Sequence, residues 1–387
     1  MKKHLLLLCV LFLSSFGFAQ NSNSIASPDT TQTSLFNATV ERTLSFFEWH
    51  AGKTTIFTLP SFGYDPASGF ALGVQQIINF PHRDTSAYKR STTLFNYISY
   101  STNNWFNIRS SFNLYSRSGW AFYTRVQYQQ SPDKFFGIGQ SERNRNPQAF
   151  DIKLLQIQGN ASHSLFWHEL FAGVIYDLTY ADISNVQISE DFLPENKLAE
   201  QKNKVIFGIG PYIAYDSRDN VHFPSRGNFI TTGVFLYPKF NSRSYGFVNY
   251  MLDARTYIPL YSKQILALQF FAGTSQGDMP FYKLYQLGGT ERLRGISNKY
   301  MYIDTYVYYT QAELRQHLWG RFSAVAFGGV GNAFGDFKTM NDFAIKYIYG
   351  MGARVQTGKH EKINLRVDYA RARFRDSGLY ITVSESF

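Results

Sequence analysis

Thiols are almost absent from this sequence, whose 387 residues include one cysteine, Cys9. It lies in an apolar run from Leu5 to Phe18 that follows Lys2 and Lys3 and ends at the small residues Gly17 and Ala19, ahead of Gln20. A basic start, an apolar run and a small-residue exit are the three parts of a secretory signal peptide, with cleavage expected after Ala19. The run is shorter than the roughly 20 residues a spanning helix needs, so a retained anchor is the lesser reading. No small residue stands just before Cys9 and apolar chain continues after it, which argues against a lipoprotein site. The mature chain then has no thiol, and disulfides, cysteine metal sites and cysteine nucleophiles are excluded together.

Later apolar runs are also lacking. No segment after the first is long and apolar enough for a membrane helix, and mean hydropathy is slightly negative. Only 17% of residues are charged, whereas 18% are aromatic. Lys2 and Lys3 supply two of the +10 charges and no acid precedes Gln20, so the mature chain carries +8. A basic, aromatic surface fits nucleic acid in a cytoplasmic protein. For an exported one, nucleic acid is not the expected partner, and anionic outer-membrane lipid and lipopolysaccharide are the better counter-charge.

What is present is alternation. Residues 20–53 begin rich in Ser, Thr and Asn and read as a flexible periplasmic arm with one helical turn around Leu44 to His50. From Thr54 to Phe387 apolar and polar residues alternate in segments broken by Gly, Asn, Asp, Ser and Pro. Ile363, Leu365, Val367 and Tyr369 face one way and Asn364, Arg366 and Asp368 the other; Tyr347, Tyr349 and Met351 oppose Lys346 and Arg354. In the last segment Leu379, Ile381, Val383 and Phe387 share an outward face that Glu385 interrupts near the membrane edge. Most segments reach the about 9–11 residues with which a tilted strand crosses a bilayer.

The expected fold is all-β, a 16-stranded antiparallel transmembrane barrel over 54–387 with strands near 54–60, 68–80, 90–102, 105–116, 120–130, 149–161, 168–181, 203–217, 227–239, 244–258, 264–275, 303–317, 321–333, 343–357, 362–374 and 378–387. Connectors after even-numbered strands are short or tightly turned (117–119, 259–263, 318–320, 358–361) and the longest (131–148, 182–202, 276–302) follow odd-numbered ones, which predicts both termini in the periplasm of a Gram-negative cell.

The longest connector holds Leu287-Gly288-Gly289-Thr290-Glu291-Arg292-Leu293-Arg294-Gly295-Ile296. On composition alone it is a flexible glycine-rich surface loop. With its place between strands eleven and twelve, it resembles the motif loop of the BamA-like surface-antigen superfamily, which includes outer-membrane assembly proteins and two-partner-secretion transporters. Asp216-Ser217-Arg218-Asp219 with Phe223-Pro224-Ser225-Arg226-Gly227 is similar to that family's turn after strand eight. Gly63 to Gly69 is similar to its first loop, and terminal Phe387 to the signal read by the barrel-insertion machinery. The resemblance implies that the loop arginine, here Arg294, folds into the lumen and pairs with inward acids on strands twelve and thirteen. Glu313 matches the first acid. The second is missing near Gly329 and Ile296 replaces the usual aromatic, which leaves two readings: Arg294 held by Glu313 alone, or by Glu313 with help from Asp368 on strand fifteen. Gly288, Gly289, Arg294, Gly295 and Glu313 thus form the expected loop lock. The family's POTRA modules, which dock clients or partner lipoproteins, do not fit in 20–53; this resembles the subgroup lacking them.

Other chemistry is weakly signalled. His163 and His168 lie five residues apart in a predicted turn and read as interfacial anchors rather than metal ligands. Asp216 and Asp219 lack the oxygen spacing of a calcium loop and suit a hydrogen-bonded turn. Gly329-x-Gly331 inside a strand more often makes room for a packed neighbour, here the returning loop with Arg294, than for a nucleotide. Arg371 and Arg373 are expected at head-group height, near lipopolysaccharide phosphates. No enzyme chemistry, metal or cofactor is expected. The leading expectation is insertion or translocation of protein, or of lipid, at the outer membrane, aided by a weak seam between the first and last strands because the first is short and Pro60 supplies no ladder donor. The alternatives are a diffusion channel biased toward anions by Arg255, Lys346, Arg354 and Arg366, or a structural subunit of an assembly complex with periplasmic or membrane partner proteins.

Overall fold

A computed structural model describes residues 46–387, except 66, 81–91, 140–146, 167, 188–203, 241–244, 262, 297, 339–344, 357–363, 374–375 and 384. The predicted signal peptide and the arm up to residue 45 lie outside the described residues. Sixteen antiparallel strands close into one barrel: β1 (Thr54–Asp65), β2 (Gly69–Phe80), β3 (Thr92–Ser101), β4 (Phe106–Tyr115), β5 (Trp120–Phe135), β6 (Gln148–Ser164), β7 (Leu170–Ser184), β8 (Lys204–Asp216), β9 (Gly227–Tyr237), β10 (Gly246–Tyr261), β11 (Gln264–Asp278), β12 (Tyr306–Trp319), β13 (Phe322–Phe334), β14 (Lys346–Gln356), β15 (Asn364–Ala372) and β16 (Ser377–Val383). Each pairs with the next, and β16 returns to β1. Closure satisfies backbone groups that hydrocarbon cannot hydrate.

Period-2 alternation sorts the side chains as the sequence requires. On β14, Met351 is 70% exposed on the outer wall while Lys346 and Arg354 are buried inside. Phe70, Leu72, Val205 and Ile213 likewise point outward. Such an outward apolar band belongs against lipid. Trp120, Phe122, Trp319 and Tyr261 are exposed at strand ends beside short turns, where aromatic rings anchor at a membrane interface.

Four local readings differ from the structure. Where a helical turn is expected, Glu48–Ala51 forms a short strand that turns through Gly52 (φ 63°) onto β1, pairing Glu48 with Phe57 and Ala51 with Thr54. The first barrel strand does not stop near Pro60 but runs to Asp65, in register with β2 from Thr55↔Asn79 to Asp65↔Gly69. Gly63 to Asp65 are therefore strand rather than loop. Proline is tolerated because the other flank of β1 is close to a free edge.

The third difference lies at the end of the chain. The last strand ends at Val383, and Glu385 to Phe387 leave the wall for the interior. Phe387 is buried with Tyr257 and Ala267, not displayed on the outer face. Glu385 Oε2 accepts from Arg354 Nε at 2.8 Å and its Oε1 from Asn364 Nδ2 at 2.8 Å. A carboxylate that is costly near lipid is drawn inward by arginines already in the lumen.

The fourth concerns the lumen, which is not polar throughout. Phe135, Phe150, Ile152, Ile183, Ile206 and Phe247, all from the wall, form an apolar cluster with Phe281, Tyr282, Leu284 and Tyr300 of the β11–β12 connector. Such an interior is a packed core rather than a water-filled bore.

Candidate functional site

The β11–β12 connector crosses the lumen and is fixed to opposite walls. A 3-10 turn (Phe281–Lys283) starts it, and Tyr285–Gln286 pairs with Ile303–Asp304 at its neck. Toward one wall, the Lys283 ammonium meets Asp177 on β7 and donates to Thr179 Oγ1 at 2.6 Å, while Asn298 Nδ2 donates to Asp133 of β5 at 2.8 Å. Toward the other, Leu287, Leu293 and Ile296 pack with Phe271, Val307, Tyr309 and Phe327 of β11 to β13. Ile296, expected to be an aromatic by the resemblance, fills its place as an aliphatic core residue.

Arg294 is fully buried, as are Glu313 on β12 and Asp368 on β15. Its Nη2 donates to Glu313 Oε2 at 2.8 Å and its Nη1 to Asp368 Oδ2 at 2.5 Å, and its guanidinium lies 3.5 Å from the Phe327 ring centroid. The structure thus brings together the arginine, the inward acid of β12 and the substitute acid of β15. A lone buried charge is expensive, and two carboxylates with a ring face satisfy most of this guanidinium.

The cluster is larger than the sequence reading had it. Arg354 of β14 donates from Nη1 to Asp368 Oδ1 at 2.5 Å and lies 3.5 Å from Glu313 Oε2. Arg315 Nε donates to Glu313 Oε1 at 2.8 Å, its Nη1 to the Pro224 carbonyl at 3.2 Å and its Nη2 to the Phe387 carbonyl at 3.1 Å. Arg366 Nε lies 3.5 Å from Asp368. Arg315 shares the inward face of β12 with Glu313 by simple alternation, so that member was available to pattern reasoning. Glu385 was not, because the outward parity of its strand pointed the wrong way.

The loop glycines have separate reasons. Gly295 has φ 96° and donates its N–H to the Tyr380 hydroxyl at 3.1 Å; a Cβ there would meet the β15 backbone at 3.0–3.2 Å. Gly289 has φ 138° but open space around it, whereas a Cβ on Gly288 would press on Ile296 at 2.8 Å. Gly329 and Gly331 do leave room for the returning loop, yet what fills it is Leu293 and Leu287 rather than Arg294.

The remaining candidates are local. His163 Nε2 sits 2.8 Å from the Ser118 carbonyl and its ring packs edge-on to Trp120 at 5.0 Å. Asp216 clasps Arg218 through two bonds of 2.9 Å, and Asp219 accepts from the Ser225 and Arg226 amides at 2.8 and 3.3 Å. Arg371 is exposed, whereas Arg373 donates from Nη1 to the Ile345 carbonyl at 2.9 Å. The cations expected to favour anion flow are engaged: Arg255 with Asp253, Arg354 with three carboxylates, Arg366 with Asp368 at 3.5 Å, and Lys346 with Asn332 at 3.2 Å. With the connector across the lumen, that arrangement is a plug.

Glu291, at the loop's centre, is open to a lumenal cavity yet enclosed by the barrel. Enclosure raises its carboxyl, but Arg125, Arg109, Arg255 and Arg292 outweigh this and hold it at about 2. A depressed carboxyl stabilises the fold above its unfolded value and loses that contribution as pH falls. Acidification from about 4.3 to 2 is therefore expected to lower the heat resistance of the folded band on unboiled gels more in the parent than in Glu291→Gln. Equal losses would remove Glu291 from the balance.

Comparison with known proteins agrees with this architecture. No curated protein sequence matches. The barrel is similar to BamA from Haemophilus ducreyi lacking POTRA domains 1-3, with a TM-score of 0.55 and 14% identity over 96% of this chain and 81% of that one. It is also similar to CdiB from Acinetobacter baumannii (TM-score 0.55, 11% identity, 86% of this chain and 60% of that one) and CdiB from Escherichia coli (0.55, 14%, 87% and 62%). The chain thus spans less than two thirds of either CdiB. The Omp85 superfamily domain matches residues 101–387, from the end of β3 through the loop lock to the final residue. The chain therefore belongs to the Omp85 superfamily and is an outer-membrane β-barrel protein.

Proposed function

We propose that this barrel assists the insertion or translocation of protein at the outer membrane by parting its wall between β1 and β16. The observation that carries this is the seam. The β15–β16 ladder is continuous from Leu365↔Val383 to Arg371↔Ser377 and the β1–β2 ladder runs nearly the length of β1, but among the described residues β16 meets β1 at one residue pair, Leu379↔Tyr64. Backbone groups left unpaired along such an edge are a template for an incoming strand. The plug across the lumen supports a lateral route over an axial one. The longest connectors, 136–147, 185–203 and 279–305, follow odd-numbered strands, and in this reading they face outward and both termini face the periplasm. Outer-membrane lipid and lipopolysaccharide surround the wall, and the barrel-insertion machinery acts on the chain during its own biogenesis.

The test is a crosslink. The one cysteine, Cys9, lies in the expected signal peptide and outside the barrel strands, and facing strand residues have the separation a disulfide needs. Tyr64→Cys combined with Leu379→Cys is expected, once oxidised in liposomes, to reduce folding of an added unfolded outer-membrane barrel to the rate of empty liposomes. Reductant is expected to restore the parent rate. Full activity of the oxidised variant, or a parent that does not accelerate folding, would overturn the proposal.

A further inference from the structure

The plug does not fill the lumen completely. Between it and the inner wall of β4 to β11 lies a cavity of ≈ 580 Å³, lined by Gln156, Gln158, Asn160 and Tyr123 on the wall and by Glu291 and Arg292 on the loop. The size is that of a small-molecule site.

Its cations fall into two sets. Lys283, Arg218 and Arg255 each hold an aspartate, namely Asp177, Asp216 and Asp253. Arg125 and Arg292 also line the cavity but have no ion pair among the described residues. Arg125 lies 5.8 Å from the ring centroid of Tyr123, and its Nε is buried without a hydrogen-bond partner. Arg109 reaches the same place from β4, 3.7 Å from Glu291, and its Nε is likewise unsatisfied. Three guanidinium groups therefore share one carboxylate. Around Arg294 four arginines share three acids, whereas here three share one, and the balance is shorter of anions.

We propose that this cavity binds a phosphate-bearing anion between Arg125 and Arg292, with Arg109 and Glu291 at its margin. Planar guanidinium forks suit phosphate oxygens, with two parallel donors from each group. The amide side chains of Gln156, Gln158 and Asn160 offer neutral donors and acceptors to a hydroxylated substituent on that phosphate. The cavity excludes a polymer but accepts a phosphorylated solute or a lipid head group. This inference is independent of the lateral seam.

Calorimetry on the full-length protein in a non-ionic detergent, titrated with inorganic phosphate, provides the test. Saturable binding is expected, weakened about ten-fold or more when Arg125→Gln and Arg292→Gln are combined. Glu291→Gln removes the carboxylate that competes with the ligand and is expected to tighten binding about three-fold or more, an effect that misfolding cannot imitate. Glycerol 3-phosphate binding as tightly as phosphate would identify a soluble source. Displacement of phosphate by phosphatidylglycerol in nanodiscs would identify a lipid head group. Absence of saturable phosphate binding, or unchanged affinity in both the double variant and Glu291→Gln, overturns the proposal.

Discussion

Replacing Glu313 by alanine is expected to remove most of the heat resistance of the folded barrel. Glu313 accepts from Arg294 and Arg315 at 2.8 Å and has Arg354 at 3.5 Å, all with side chains essentially fully buried. Its loss leaves Asp368 and Glu385 to neutralise four arginines, Arg294, Arg315, Arg354 and Arg366. Breaking a buried pair by deleting one partner costs about 3–5 kcal/mol, because the surviving charge stays desolvated. Arg294→Ala removes a cation from an arginine-rich cluster, where Arg354 still serves both acids, so its loss is expected to be smaller. Unboiled gel mobility against temperature measures the ranking. Glu313→Ala matching the parent would show that the cluster does not hold the loop. The double variant separates coupling from addition, since these groups share partners and their effects do not add.

Gly295→Val is expected to be comparably severe, for steric rather than electrostatic reasons. Its φ of 96° lies where β-branched residues are strained by about 1–3 kcal/mol. The new side chain would also strike the backbone of Ala370 to Ala372, and overpacking a fitted contact costs about 1–3 kcal/mol more. Arg294 is the preceding residue, so displacing the chain here withdraws the guanidinium from its acids. Gly289→Ala is the contrast: its backbone is also strained, but nothing lies within 4 Å of the added carbon. The expected order of lost heat resistance is Gly295→Val, Gly295→Ala, then Gly289→Ala. Equal losses for Gly295→Val and Gly289→Ala would mean that strain alone, not contact with β15, determines the need for glycine.

The barrel was legible because alternation is a local property. All sixteen strands appear in the expected order, and Lys346, Arg354 and Asp368 face inward by parity. Parity also marked Arg294's two acids once the loop was known to return inside. Parity stops informing where the backbone leaves the sheet. The alternation of Leu379, Ile381 and Val383 continues on paper to Phe387, but Glu385 is attracted by Arg354, 31 residues earlier, and the chain turns in after Val383. Long-range partners of this kind have no periodic signature. Asp177 and Lys283 lie 106 positions apart, and nothing near either one marks the other. The apolar lumen near Phe150 and Phe281 was hidden for a related reason: aromatics at strand ends read as membrane anchors until a loop packs against them.

The cluster around Arg294 also has a chronology. Its members come from the β11–β12 connector, β12, β14, β15 and the residues after β16, so it cannot form while only the first eleven strands exist. Those strands already hold Asp216 with Arg218 and Asp253 with Arg255, pairs two residues apart that form as soon as each strand is laid down. Those two pairs are local, whereas Asp177 of β7 waits for Lys283 of the connector and the Arg294 cluster draws its members from across the lumen. The full set of partners of Arg294 exists only once β12 has brought Glu313 and β15 has brought Asp368.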